Sequence, residues 1–342
     1  MGLKVGVLGV GPVGEHIVRV LGERRFPVDG ELTVMATNER TEIIAGKQVS
    51  VQKVGADILG GLDLVFFAGK EGAKGASMEW ADIAVKSGCT VIDNGGDLRM
   101  YPNIPLVVPE INMDAVTKDT RLICNPNCST IQMAVALYPL HKAARLRRVV
   151  VSTYQSVSGH SGAGMDQLSS ELKQVFAGEP VRENPSVFAR RIAFNCIPHI
   201  DRFEENGYTR EEMKMVHETR KIFGEPDLLI SATTVRVPVL VGHCESVNAE
   251  FMEPMRANEA VEILSDPELS PSVVCFGEAD RYPVPSDLEK DEWKDAVLVG
   301  RIRADTTAPN ALNLWCVSDN LRKGAATNAV QIAEGMLTRE ML

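Results

Sequence analysis

Hydrophobic and polar positions change rhythm once along this chain. Over the first 125 residues, short apolar runs alternate with amphipathic stretches. "KVGVLGV" (4–10) reads as a buried strand, "EHIVRVLGERR" (15–25) as a helix and "ELTVMAT" (31–37) as a second strand. "LDLVFFAG" (62–69), a helix over 73–87, "CTVIDN" (89–94) and the strand-like "TRLIC" ending at Cys124 continue the series. Strands that are apolar on both faces need helices on both sides, so the alternation predicts a parallel, doubly wound sheet.

Beyond residue 128 a helix, "STIQMAVALYPL", is followed by long strand-like runs at 146–155, 228–240, 243–251, 297–305 and 312–318. Long strands with few helices between them predict an α+β domain on a large, mostly antiparallel sheet. The closing "RKGAATNAVQIAEGMLTREML" (322–342) reads as one helix that folds back onto the first domain. The expected fold class is therefore α/β: a Rossmann-type domain of residues 1–127 plus 322–342, and an α+β domain of residues 128–321.

Composition narrows the function. A net charge of −10 argues against a general nucleic-acid binder, which carries a basic face. No apolar run reaches the roughly 18 residues of a membrane span, and "MGLKVGVLGVGPVG" has no signal-peptide pattern. Seven scattered cysteines fit reduced thiols in the cytoplasm better than a disulfide framework.

"GVGPVG" (9–14) matches G-x-G-x-x-G between a strand and a helix. Gly9, Gly11, Pro12, Val13 and Gly14 would bring backbone close to a pyrophosphate at the positive end of that helix. The end of the second strand, "MATNERTE", decides between NAD and NADP. It offers both Glu39 and Arg40; Arg40 beside Thr37 and Asn38 leans towards NADP, with NAD possible.

"CNPNCST" (124–130) raises the question of chemistry. A zinc site would need a second ligand pair at the right spacing, and none follows, so no metal is expected. Cys124 suits a buried strand end. Cys128 follows Asn-Pro-Asn at the start of a helix, where unsatisfied N–H groups favour a thiolate and hence covalent catalysis. As proton carriers, His16, His141 and His217 read as solvated. His160 and His199 sit in loops and stay open, and His243 lies in the apolar "VRVPVLVGHCES".

Six segments in order resemble the aspartate-semialdehyde dehydrogenases: 91–112, "NPNCSTIQMAVALYPL" (125–140), "STYQSVSGHSGAGMDQL" (152–168), 193–224, "VRVPVLVGHCESV" (235–247) and "NLWCVSDNLRKGAATNAVQIAE" (313–334). The resemblance implies that Cys128 is the nucleophile with Asn127 beside it, His243 the acid/base, and Gln155 the residue orienting the acyl intermediate. It implies that Arg236 binds the substrate carboxylate, Glu212 its amino group, and Arg99 and Lys214 its phosphate. Gly159 and Asn328 would border the nicotinamide, and the domain of residues 128–321 would serve catalysis and dimerisation. The implied reaction converts L-β-aspartyl phosphate to L-aspartate-β-semialdehyde with NADPH, in a homodimer or homotetramer and without nucleic acid or membrane.

Some positions depart from that family: the glycine loop is one residue shorter than G-x-x-G-x-x-G, "TNERTEIIAGK" is longer, and "GGDLRM" replaces a Ser-rich stretch. His160 stands where a small residue is usual. A related acyl-phosphate reductase, such as an N-acetylglutamyl-phosphate reductase, and a non-catalytic paralogue are the competing readings.

Overall fold

A computed structural model describes residues 2–69, 71–181 and 187–342. The elements run β1 (Val5–Leu8), α1 (Pro12–Glu23), β2 (Thr33–Ala36), β3 (Arg40–Ile44), β4 (Lys47–Lys53), α2 (Ala56–Leu59), β5 (Leu64–Phe67), α3 (Ala76–Lys86), β6 (Thr90–Asp93), α4 (Pro109–Asn112) and β7 (Leu122–Cys124). They continue with α5 (Cys128–Ala144), β8 (Leu146–Gln155), α6 (Ser161–Phe176), α7 (Arg210–Phe223), β9 (Leu229–Arg236), β10 (His243–Phe251), α8 (Ala257–Ser265), β11 (Val273–Cys275), β12 (Val297–Ala304), β13 (Ala311–Ser318) and α9 (Thr327–Thr338). Two compact units divide the chain, one of residues 1–127 with 325–342 and one of residues 128–324.

In the first unit the sheet order is β3-β4-β2-β1-β5-β6-β7. All of it is parallel except the β3–β4 ladder. Every residue of β1, β5 and β6 is buried, as strands covered on both faces require. The β3–β4 hairpin was not expected from the sequence. Its two turn residues, Ala45 (φ 51°) and Gly46 (φ 78°), are both left-handed, the geometry of a tight type I′ turn. The usual Asn-Gly signal is missing because alanine occupies the first position.

The C-terminal segment is a π-helical turn (Arg322–Ala326) followed by α9, instead of one uninterrupted helix. Apolar α9 side chains Val330, Ile332, Ala333 and Met336 share one core with Val5, Ile17, Val20 and Phe66. Arg24 adds a two-pronged ion pair to Glu334 (2.8 and 2.7 Å). Burial of that apolar face, more than a half-exposed ion pair, is what recruits the segment.

In the second unit the sheet order is β11-β12-β13-β10-β8-β9. The three inner ladders are antiparallel and the two outer ones, β11–β12 and β8–β9, are parallel. Helix α5 is buried from Ser129 to Leu137 and packs against α7, α8 and the central strands. A helix apolar on all sides belongs inside a domain. His141, expected to be solvated, packs between Tyr138 and Phe223 and accepts from the Leu146 N–H (3.1 Å). Among the described residues no helix is long and apolar enough to cross a membrane, and no cluster has the makings of a metal site.

Truncating Met336 to alanine opens a cavity in a fully buried layer, and such changes cost roughly 2–5 kcal/mol. A fall of that size in urea-unfolding free energy for Met336→Ala is expected. An unchanged midpoint would show that α9 adds little to the first unit.

Candidate active site

The register of the second sheet gathers the chemistry. Strand β10 runs antiparallel to both β8 and β13, so its first residue lies beside their last ones: His243 opposite Ser318, and Cys244 opposite Tyr154. Parallel pairing of β8 with β9 sets Gln155 opposite Arg236. Three residues far apart in sequence thus meet at one edge of the sheet.

Cys128 opens α5 at this end. Where Gly324 passes it, a Cβ would fall 3.0 Å from the Cys128 Cβ, so any side chain there would press on Cys128. Helix N-terminus and guanidinium act together on this thiol: the charges of Cys128 and Arg236 interact, each favouring the ionised state of the other. Burial has the opposite effect elsewhere, pushing the Cys89 and Cys244 thiols up to about 12. Gln155 donates through Nε2 to the hydroxyl of Ser129, next to Cys128, and to Glu211 Oε1 (3.2 Å).

Arg236 ends β9 almost fully buried. It donates to the Ser156 carbonyl (2.7 Å), and its guanidinium lies 5.9 Å from the Phe188 ring centre. Glu211 counters its charge.

His243 is completely buried. Burial first, and Arg236 second, push its pKa down to about 3, so it is neutral at physiological pH. Its Nδ1 lies 3.1 Å from the Ser156 amide nitrogen and 3.0 Å from the Ser156 hydroxyl. Its Nε2 has no hydrogen-bond partner among the described residues. Gly159 leaves that face open: a Cβ there would sit 3.2 Å from Nε2 and 2.8 Å from Arg236 Nη1.

Helix α7 corrects one expectation. Glu212, assigned above to the substrate amino group, is spent on the fold. Its carboxylate accepts from the Thr209 N–H (2.7 Å) and from the Thr234 N–H (3.0 Å), and the Thr209 hydroxyl accepts from the Glu212 N–H (3.3 Å). That reciprocal cap was readable as T-x-x-E in "TREE". The carboxylate on the active-site side is its neighbour Glu211, one turn from Lys214, which it binds at 3.2 Å. Lys214 also pairs with Asp201 (3.2 Å). Sequence reasoning missed Glu211, along with Phe188, Ser156 and Asn320.

His160 packs on Phe188, with ring centres 5.6 Å apart. Its pKa is lowered by burial and then by Arg236. The next residue, Ser161, has φ 66° and ψ −167°, a region natural only to glycine. Beneath the site lies a second buried acid, Glu245, two positions along β10 from His243 and beside Gln132 of α5. Burial pushes its pKa well above the ordinary carboxylate value.

In the first unit, Gly11 caps α1 without a side-chain contact, Pro12 and Val13 open the helix, and space around Gly11 is open. A Cβ on Gly14 would strike the Gly9 carbonyl, and one on Gly9 (φ 115°) the Ala68 carbonyl. This tight loop before an uncapped helix end fits a dinucleotide pyrophosphate. Thr37 and Asn38 are exposed after β2, and Arg40 pairs with Glu42 (2.8 Å) while donating to the Asn38 carbonyl. Arg99 is buried and donates to the Asn94 carbonyl (2.7 Å). Asn127, directly before the nucleophile, is buried. Asn328 donates to the Val107 carbonyl (3.0 Å) and to Asn125 Oδ1 (2.7 Å), fastening α9 within its unit.

A neutral buried histidine makes stability depend on pH. Between about 6.5 and about 3 the unfolded chain binds a proton at His243 that the folded chain refuses, so stability falls as pH drops through that window. Asp93, pushed up to about 6 by burial, acts in the opposite sense. Comparison of wild type with His243→Asn isolates the histidine: the acid loss of stability should be smaller in the variant. Equal losses would mean His243 is not held neutral.

Comparison with known proteins follows the same lines. The family model "Semialdehyde dehydrogenase, NAD binding domain" matches residues 4–119, and "Semialdehyde dehydrogenase, dimerisation domain" matches residues 137–323. Aspartate-semialdehyde dehydrogenase 2 of Vibrio cholerae is 45% identical over 98% of both chains, and the Aquifex aeolicus enzyme 43% over the full length of both. The crystal structure of aspartate semialdehyde dehydrogenase II from Vibrio cholerae superposes over 100% of both chains with a TM-score of 0.91 at 43% identity. With both units matched and the cysteine–glutamine–arginine–histidine set assembled, the chain belongs to the aspartate-semialdehyde dehydrogenase family.

Proposed function

We propose that the protein catalyses the reversible, NADPH-dependent reductive dephosphorylation of L-β-aspartyl phosphate to L-aspartate-β-semialdehyde, within amino-acid biosynthesis in the cytoplasm. What carries this assignment is the convergence of Cys128, Gln155, Arg236 and His243 on one sheet edge, with Glu211 beside them. In support, a solved complex of the Vibrio cholerae enzyme contains ASA and matches this chain with a TM-score of 0.90.

The thiolate of Cys128 attacks the acyl carbon; a C–S bond forms, the C–O bond to phosphate breaks, and phosphate leaves. The resulting thioester is held by Gln155 and by the Nε2 edge of His243. A reduced nicotinamide, when bound at the glycine loop (Gly9, Gly11 and Gly14), supplies the hydride that turns the thioester into the semialdehyde. Breaking the C–S bond returns Cys128 to the thiolate. Arg236 meets the substrate carboxylate with a planar fork suited to it, and Glu211 takes over from Glu212 as partner of the amino group. Arg99 and Lys214 keep the phosphate role that the resemblance gives them, and Asn127 and Asn328 their places beside nucleophile and nicotinamide. Arg40, with Thr37 and Asn38, favours NADP, and the second unit pairs two copies into a homodimer.

Cys128→Ser should nearly abolish reduction of NADP⁺ by semialdehyde and phosphate while cofactor binding persists; normal turnover would sink the assignment. Glu211→Gln and Glu212→Gln separate the two neighbours. The first should raise KM for the semialdehyde by about tenfold, the scale of one lost charged hydrogen bond. The second should chiefly lower stability, by about 1 kcal/mol, because a single amide oxygen cannot accept from both the Thr209 and Thr234 N–H groups. The reverse pattern would restore Glu212 to the substrate.

A further inference from the structure

His243 Nδ1 faces two groups of Ser156, and the Gly242 backbone also bonds the ring. An amide N–H only donates, so the Ser156 N–H at 3.1 Å makes His243 Nδ1 an acceptor. The Gly242 N–H donates to Asn320 Oδ1 (3.0 Å), which orients that amide. Asn320 Nδ2 then faces the Ser158 hydroxyl (3.0 Å), Ser158 faces the Ser156 hydroxyl (3.0 Å), and Ser156 faces Nδ1 (3.0 Å). Both hydroxyls can also donate to Asn320 Oδ1 (3.1 Å each), so the amide touches both serines. Ser156, Ser158, His243 and Asn320 are all buried, where competing water is excluded.

We propose that Asn320, acting through Ser158 and Ser156, is a positioning residue that locks His243 as the Nε2–H tautomer, with that proton aimed over Gly159 at the reacting oxygen. The proposal rests on the reading of His243 as the histidine of the reaction and deepens it. In this arrangement the Nε2–H donates a hydrogen bond to the oxyanion that forms when the acyl carbon becomes tetrahedral. The same relay explains why a histidine without a carboxylate partner is tolerated here. A second proton at Nδ1 would meet the Ser156 N–H head on.

Long-range proton–nitrogen NMR of the full-length protein with ¹⁵N-labelled histidine tests this near neutral pH, with the His243 signals assigned by their loss in His243→Asn. Wild type should show Nδ1 bare and Nε2 protonated; a protonated Nδ1, as the other tautomer or as imidazolium, overturns the proposal. Asn320→Asp replaces the donor by an acceptor and turns the relay round. It should protonate Nδ1 and lower kcat about 100-fold, the scale of one lost oxyanion donor, with KM changed less than about threefold. Should a buried aspartate prevent folding, Asn320→Ala and Ser158→Ala cut the relay without charge and should each mix the tautomers. Unchanged tautomer and kcat in these variants refute the role of Asn320. Cys128→Ser keeps failures apart: if it retains turnover the functional reading falls, whereas its histidine signals should match wild type.

Discussion

The antiparallel pairing of β10 with β8 and β13 is the constraint on which the site depends. Side chains alternate faces along a strand, so a slip of one residue would turn His243 to the opposite face and bring Cys244 inward. That register is secured by apolar positions deep in the sheet, among them Val149, Val151, Val247, Ala249, Leu312 and Leu314, all buried. Catalytic placement is therefore inherited from core packing, and the functional residues themselves contribute little to it.

Electrostatically, the edge of the second sheet is a place where a cation is buried first and its partners are arranged afterwards. Arg236 spends a donor on the Ser156 carbonyl, leans on Phe188 and balances Glu211. A buried guanidinium without such partners would be costly. The same charge stabilises thiolate at Cys128 and neutral imidazole at His243. Burial does most to keep His243 neutral, and this one cation adds to it while also favouring thiolate at Cys128.

Much of this was legible in the sequence because its signals are local. Buried strands announce themselves as apolar runs, Cys128 by its place before a helix, and Arg236 by being charged within an uncharged strand. What escaped depends on features that composition does not carry. The β3–β4 hairpin turns on an alanine held at positive φ, which tertiary pairing enforces against preference. Choosing Glu212 over Glu211 ignored a capping pattern that was present, and helical spacing alone would have joined Glu211 to Lys214. The Asn320 relay joins a loop after β13 to one after β8, which no short window can join.

Glu245 has a consequence for the history of such a protein. Burial raises this carboxyl's pKa on folding, so above the ordinary glutamate value folding must take up part of a proton and loses stability as pH rises. The molecule carries that handicap in the layer between α5 and the strand bearing His243. An amide of the same shape would remove it. The position is therefore a reserve of stability within the most constrained part of the fold, open to a lineage that has to work at higher temperature.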